Sequence, residues 1–235
     1  MSSDAIHIVQ ALLETGVPHK EGVHDRSEVP RGPVVTISRT YGSGGRVVAD
    51  RLAEALHVKV FDKELLDQIV EKSKVDRFLM EELDEHVRGT MSDWVYAILT
   101  GKNVFSVDYR RHLFSVVLGI ARRGGVIVGR GANLILQDHK DVLHVRVVGS
   151  PEKCAQRIAE REHLLMAQAR DRVAEVNRER EIFIHALFKK RMFDPADFDL
   201  TLNSDRFDVE QMTRIVIESL VLRGIPVPEA AAAMV

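Results

Sequence analysis

Apolar residues fall along this chain in two spacings. Short continuous runs (Val34–Ile37, Val126–Val128, 142–148, Leu200–Leu202) stop abruptly at glycine or polar residues. Such runs predict buried strands, while recurrence at three- and four-residue steps predicts helices. The pattern gives a strand at 34–38 and a helix over about 46–56, with Val47, Val48, Leu52, Ala53 and Leu56 on its apolar face. A short strand, Val58 to Phe61, leads to Asp62, a favoured helix N-cap. A helix follows to about Lys74, with Leu65, Leu66, Ile69 and Val70 on one face. Further helices are expected at about 76–87, 91–100 and 106–123, then strands at 126–128 and 142–148. Ser150-Pro151-Glu152 opens a charged helical stretch reaching 192, with Pro151 at a first-turn position. A strand at 200–202 and a helix at about 208–222 complete the pattern. Residues 5–14 have helical spacing and 15–33 read as a polar arm; the tail from Pro226 is expected to be loose.

Strands that are apolar throughout and alternate with helices indicate an α/β fold: a parallel sheet with helices on both faces. Ligands of such sheets sit beyond the C-terminal strand ends. The polar segments 38–46, 61–64 and 129–133 all fall there.

Composition narrows the partners. With 235 residues, the chain suits one large domain or a core with a small lid. The net charge of −2 gives no global attraction to nucleic acid or anionic membrane, so any anion site must be local. The lone Cys154 excludes an intramolecular disulfide and a cysteine-based metal cluster, and reads as a small packed residue. His144, His163 and His185 lack metal-ligand spacing. No run approaches the roughly 18 apolar residues of a membrane span, and no basic start precedes an apolar run. A cytoplasmic location is the expectation. Oligomeric state is not fixed by the sequence.

The local anion site is legible in VVTISRTYGSGGR, residues 34–46. Strand, glycine loop and helix together present backbone N–H groups and a helix N-terminus to an anion. The loop departs from the G-x-x-x-x-G-K-[ST] pattern because no Lys follows its glycines. Arg39 precedes them and Arg46 follows.

Four segments in order, ISRTYGSGGR, FDKELL, VIVGRGAN and DLTLNS, resemble the cytidylate kinase-like family, relatives of the nucleoside monophosphate kinases among the P-loop kinases. The resemblance covers about residues 34–222. It implies a P-loop kinase-like, five-stranded parallel sheet sandwiched by helices, with a helical NMP-binding insert at about 62–110 and a helical lid at about 157–192. Residues 1–33 and 223–235 then lie outside the domain. It further implies ATP-dependent phosphorylation of a nucleoside monophosphate, CMP or dCMP the leading acceptor, with Mg²⁺ carried by ATP and no metal cage from the protein. The partners are nucleotides, neither nucleic acid nor membrane.

Roles follow from this resemblance and from charge. Gly42, Ser43, Gly44 and Gly45 would cradle donor phosphates, and Arg46 and Arg39 would supply bidentate contacts to them. Asp62 and Lys63 begin the acceptor region, where Asp62 either meets acceptor or hydrated Mg²⁺ or is a plain N-cap. Arg130 resembles the family's acceptor arginine, and Arg110 and Arg111 are candidates for the acceptor phosphate. Arg157, Arg161, Arg178, Arg180, Lys189, Lys190 and Arg191 are lid candidates; Arg157 and Arg161 share a helix face on which an anion can dock. Trp94 and Tyr96 either stack on a base or pack within the insert. Val128 stands where related kinases often carry Asp, and Gly131 where cytidylate kinases often do. A nucleotide-binding regulatory module without catalysis is therefore the alternative reading.

Overall fold

The computed structural model describes residues 32–64, 66–67 and 107–235. The expectations for residues 1–31 and for most of the insert, Trp94 and Tyr96 included, lie outside these residues.

β1 (Val34–Arg39) is the middle strand of a five-stranded sheet in the order β2-β3-β1-β4-β5, all pairs parallel. Its β-branched residues meet helices on both sides, which is why the run is apolar throughout rather than alternating. The other strands are β2 (Val60–Phe61), β3 (Gly125–Val128), β4 (Val142–Val148) and β5 (Leu200–Asn203). Val35, Ile37, Val126, Val128 and Val145 pack under α1 (Gly45–Ala55). On the opposite face, Ile127 and Val142 meet α2 (Val107–Ala121). The short α3 (Ala132–Ile135), which the apolar spacing does not signal, follows β3 on that face.

The charged stretch after β4 is two helices, α4 (Pro151–Glu162) and α5 (Met166–Phe188). His163, in the left-handed region at φ 54°, ends the first. Ser150 caps α4 by accepting from the Lys153 N–H, with Pro151 in the first turn as its sequence suggests. The hairpin has its own small core: Cys154, Ala155, Ile158, Ala169 and Val173. The far end of α5 joins the main core through Phe183, Ile184 and Leu187. α6 (Val209–Leu222) covers the α1 face. The segment after it differs from a loose tail: Ile225 and Ala231 are buried, and α7 (Glu229–Ala232) forms around the latter. Small apolar residues there gain more by covering the sheet than by remaining hydrated.

Register places the functional segments together. Ile37 pairs with Val128 on one side and Val145 on the other. Ser38 and Arg39, still paired with Arg146 and Val147 of β4, therefore run past the end of β3 beside Gly129–Gly131.

Candidate functional site: a phosphate loop beside a cationic cavity

The glycines of the loop do different jobs. Gly42 has φ 81°, and a Cβ there would lie 2.5 Å from the Cys154 carbonyl oxygen, so the loop seats directly on α4 backbone. Gly44, at φ 77°, caps α1, and a Cβ on it would meet nothing within 4 Å. Ser43 is buried and turned inward; its hydroxyl donates to the Thr40 carbonyl (2.9 Å) and the Val147 carbonyl (3.1 Å). It fixes the loop and does not itself face a ligand. The N-terminus of α1 has neither a side-chain cap nor an acidic residue in its first turn. Backbone donors with positive partial charge are thus left for an anion.

The two loop arginines part company. Arg46 is exposed and tied to carboxylates: its Nε donates to Asp50 at 3.0 Å and its Nη1 to Asp62. Arg39 turns the other way. Its Nη1 lies against Gly129, where any Cβ would collide with it, so glycine at the end of β3 makes the room. It lines a cavity of about 290 Å³ beyond the C-terminal ends of β1 and β3, under α5. Arg180 reaches the same cavity from α5 and donates to the Arg39 carbonyl at 3.0 Å. Among the described residues neither Arg39 nor Arg180 has a carboxylate within ion-pair distance. Burial lowers the Arg39 pKa to about 9, and the neighbouring Arg180, Arg130 and Arg46 push the same way against Glu64. Burial likewise lowers Arg180 to about 10. Both stay charged at neutral pH, at a cost that a bound anion relieves.

Arg130 lines the cavity but is already engaged. It grips Asp67 with Nε (2.8 Å) and Nη2, and stacks 4.4 Å over Phe183. It holds the cavity wall in place, with Tyr109 donating to the same carboxylate at 3.5 Å. Lys63 and Arg191 also line the cavity; Arg178 and Arg110 are exposed outside it. The Arg111 side chain is outside the described set. Lys189 is the left-handed cap of α5, and Lys190 pairs with Asp197 at 3.0 Å.

Arg157 and Arg161 each have their own partners and lie off the cavity lining. Arg157 ties the loop to the β5 end, donating to the carbonyls of Gly42 (3.4 Å) and Ser204 (2.8 Å) and to Asp205. Arg161 donates to the Tyr41 hydroxyl (2.8 Å) and to Glu162. No anion is needed between them. His144 pairs with Thr36 across the strands at 2.8 Å, and burial lowers its pKa. Among the described residues no group of three or more His, Cys, Asp or Glu side chains is placed to hold a metal ion.

Tyr41 and Asn177, which no motif marks, couple the loop to α5. The Tyr41 N–H donates to Asn177 Oδ1 (2.8 Å), its hydroxyl donates to Glu162 (2.5 Å), and its ring lies under Arg161 and Arg180. A polar Asn on a face of α5 that otherwise packs inward was the only sequence signal for this contact. Tyr41→Phe is expected to cost about 0.5–1.5 kcal/mol in urea unfolding. Hydrogen bonds from Tyr41 and then Arg161 hold the Glu162 pKa below its ordinary value. A depressed carboxylate stabilises the fold above its unfolded pKa and loses that contribution as pH falls through the folded one. The variant is therefore expected to differ from the wild type at neutral pH and to converge with it in acid, read by unfolding at several pH values.

A parallel sheet in this order, with a glycine loop leading from β1 into α1 and a helical hairpin over the strand ends, is a P-loop kinase-like fold. The chain belongs to the cytidylate kinase-like family, whose sequence model matches residues 34–206. A solved structure of an uncharacterized protein from Eubacterium ventriosum has the same fold at TM-score 0.63, with 21% identity over 80% of this chain and 98% of that one. Shikimate kinase from Bacteroides thetaiotaomicron aligns at TM-score 0.45 and 15% identity, over 81% of this chain and 99% of that one. A stretch of 103 residues is 28% identical to the uronate isomerase of Corynebacterium glutamicum. That match takes in 44% of this chain and spans one fifth of the isomerase's length (20%). Among the described residues no helix is long and apolar enough to cross a membrane.

Proposed function

We propose that this chain transfers the γ-phosphoryl group of ATP to a nucleoside monophosphate, with CMP or dCMP the leading acceptor. One observation carries the reading: an uncapped glycine loop adjoins a cavity holding two arginines, Arg39 and Arg180, that have no carboxylate within ion-pair distance among the described residues. Family membership supplies the reaction class. The backbone of Gly42–Arg46 binds the donor phosphates. Arg39 stands at the junction of loop and cavity and takes the charge role of the absent lysine. Arg180, carried on the lid, joins it from the opposite wall. Transfer of a phosphoryl group spreads charge over equatorial oxygens, and fixed guanidiniums in a partly dry site stabilise that charge. Asp62, held beside the loop by Arg46, is the carboxylate placed to meet a nucleotide-borne Mg²⁺ through water. That ion neutralises phosphate charge when bound.

The apolar Val128, fully buried at the end of β3, favours a second reading: a module that binds nucleotide without turnover. ADP release measured with ATP, Mg²⁺ and each of CMP, dCMP, UMP, AMP and GMP separates the two. The kinase reading expects turnover, highest with CMP or dCMP. Calorimetric ATP binding without turnover would support the module, and absence of both would reject both readings.

A further inference from the structure

The middle of α5 meets the backbone of the glycine loop through two polar side chains. Asn177 Oδ1 accepts from the Tyr41 N–H, immediately ahead of Gly42, at 2.8 Å. Arg180 Nη1 donates to the Arg39 carbonyl at 3.0 Å. Residues three apart share a helix face, so one face offers an acceptor and a donor to the same length of loop. Every residue of α5 between Val173 and Phe183 keeps some exposure. The helix is anchored on either side of this stretch, by Val173 in the core of the hairpin and by Phe183 in the main core. Over the loop it is held by groups that can exchange partners. Rotation of the two side chains releases both bonds, while the Tyr41 ring stays packed on the hairpin core.

We infer that Asn177 is an autoinhibitory latch on the loop: in the empty protein its carboxamide oxygen occupies the Tyr41 N–H, which a phosphate oxygen takes when a polyphosphate binds. This rests on the reading of the glycine loop as a phosphate cradle. A backbone N–H at such a loop needs a partner in the empty state as well as the filled one. Asn177 supplies a neutral acceptor for the empty state. A charged phosphate oxygen accepts about twice as strongly, and Arg180 likewise gains by exchanging a carbonyl for an anion. The ligand therefore displaces both contacts. A ligand that must displace a contact binds less tightly by the free energy of that contact, so the latch stabilises the empty protein and lowers its affinity together.

The test is calorimetric titration of Mg-ATP and of inorganic tripolyphosphate into the full chain and into Asn177→Ala and Asn177→Asp, with thermal melting of each protein empty and saturated. Asn177→Ala is expected to bind both ligands roughly 3- to 10-fold more tightly than the wild type, the worth of one hydrogen bond removed from the empty state. Empty, it should melt about 2–4 °C lower, and the deficit should vanish at saturating Mg-ATP. Asn177→Asp, nearly isosteric, keeps an acceptor on the Tyr41 N–H and adds a charge that repels phosphate. It should bind both ligands more weakly than the wild type. Equal or weaker binding by Asn177→Ala than by a wild type that does bind would overturn the latch and leave the phosphate loop standing. So would a melting deficit that persists undiminished with Mg-ATP, since a purely structural contact survives binding. Failure of the wild type and Asn177→Ala alike to bind either ligand would reject the loop reading and the latch with it.

Discussion

Replacing Arg39 with glutamine is expected to lower the phosphoryl-transfer rate by about 10²- to 10³-fold, the usual loss when one preorganised charge donor leaves a transition state. The chain should lose nothing in unliganded stability. Arg39 is pressed against Gly129 and Arg180 with no carboxylate partner among the described residues, and burial holds its pKa down to about 9. Removing a buried, unpaired charge is neutral or stabilising in such settings. The two effects move in opposite directions, which a merely structural arginine would not produce. Rates at saturating ATP and acceptor, together with thermal melting with and without Mg-ATP, give both readings. The variant should melt at or above the wild-type temperature when empty and gain less from nucleotide. Arg46→Gln is the control: its exposed guanidinium already serves Asp50 and Asp62, so its effect on rate should be the smaller of the two.

A second large effect is expected at Gly42. A Cβ there would meet the Cys154 carbonyl oxygen at 2.5 Å and its Cα at 2.9 Å, backbone atoms that cannot rotate away, and the residue sits at φ 81°. Strain in the left-handed region and the forced shift of α4 together predict a loss of about 2–5 kcal/mol for Gly42→Ala. Gly44→Ala carries similar backbone strain at φ 77° but meets nothing within 4 Å. It should cost only about 1–2 kcal/mol. Its methyl would project into the open space where an anion approaches the α1 terminus, so ATP affinity should fall in Gly44→Ala by more than its modest stability loss suggests. Urea unfolding and ATP titration of the two variants separate seating of the loop from use of the loop.

The sheet was legible because its strands are apolar on both faces; Val34–Ile37 and Val126–Val128 have no polar side to mislead. The strand-end location of the glycine loop followed from the same pattern. The helical stretch of α4 and α5 was visible as charge on helical spacing, but the break at His163 was not, since a histidine in the left-handed region leaves no compositional mark. α3 was missed because four residues are too few for periodicity. Within the site, the sequence pointed to Arg39 and Arg46 equally. Only the tertiary contact of Arg39 with Gly129, 90 positions away, and the local pairing of Arg46 with Asp50 and Asp62 distinguish them. Arg157 and Arg161, adjacent on one helix face, suggested a shared anion. Each instead has a separate set of neutral and acidic partners that the sequence does not reveal.

On the proposed function, the loop and Arg39 together move phosphoryl groups to a nucleotide. Incubation with ATP labelled at the γ-phosphoryl, Mg²⁺ and CMP, followed by separation of the nucleotides, measures this directly. Label is expected in CDP with the wild type, and labelling at least about a hundredfold slower with Arg39→Gln. Absence of labelled nucleoside diphosphate with CMP or any of the other monophosphates, or equal labelling by the two proteins, would contradict it.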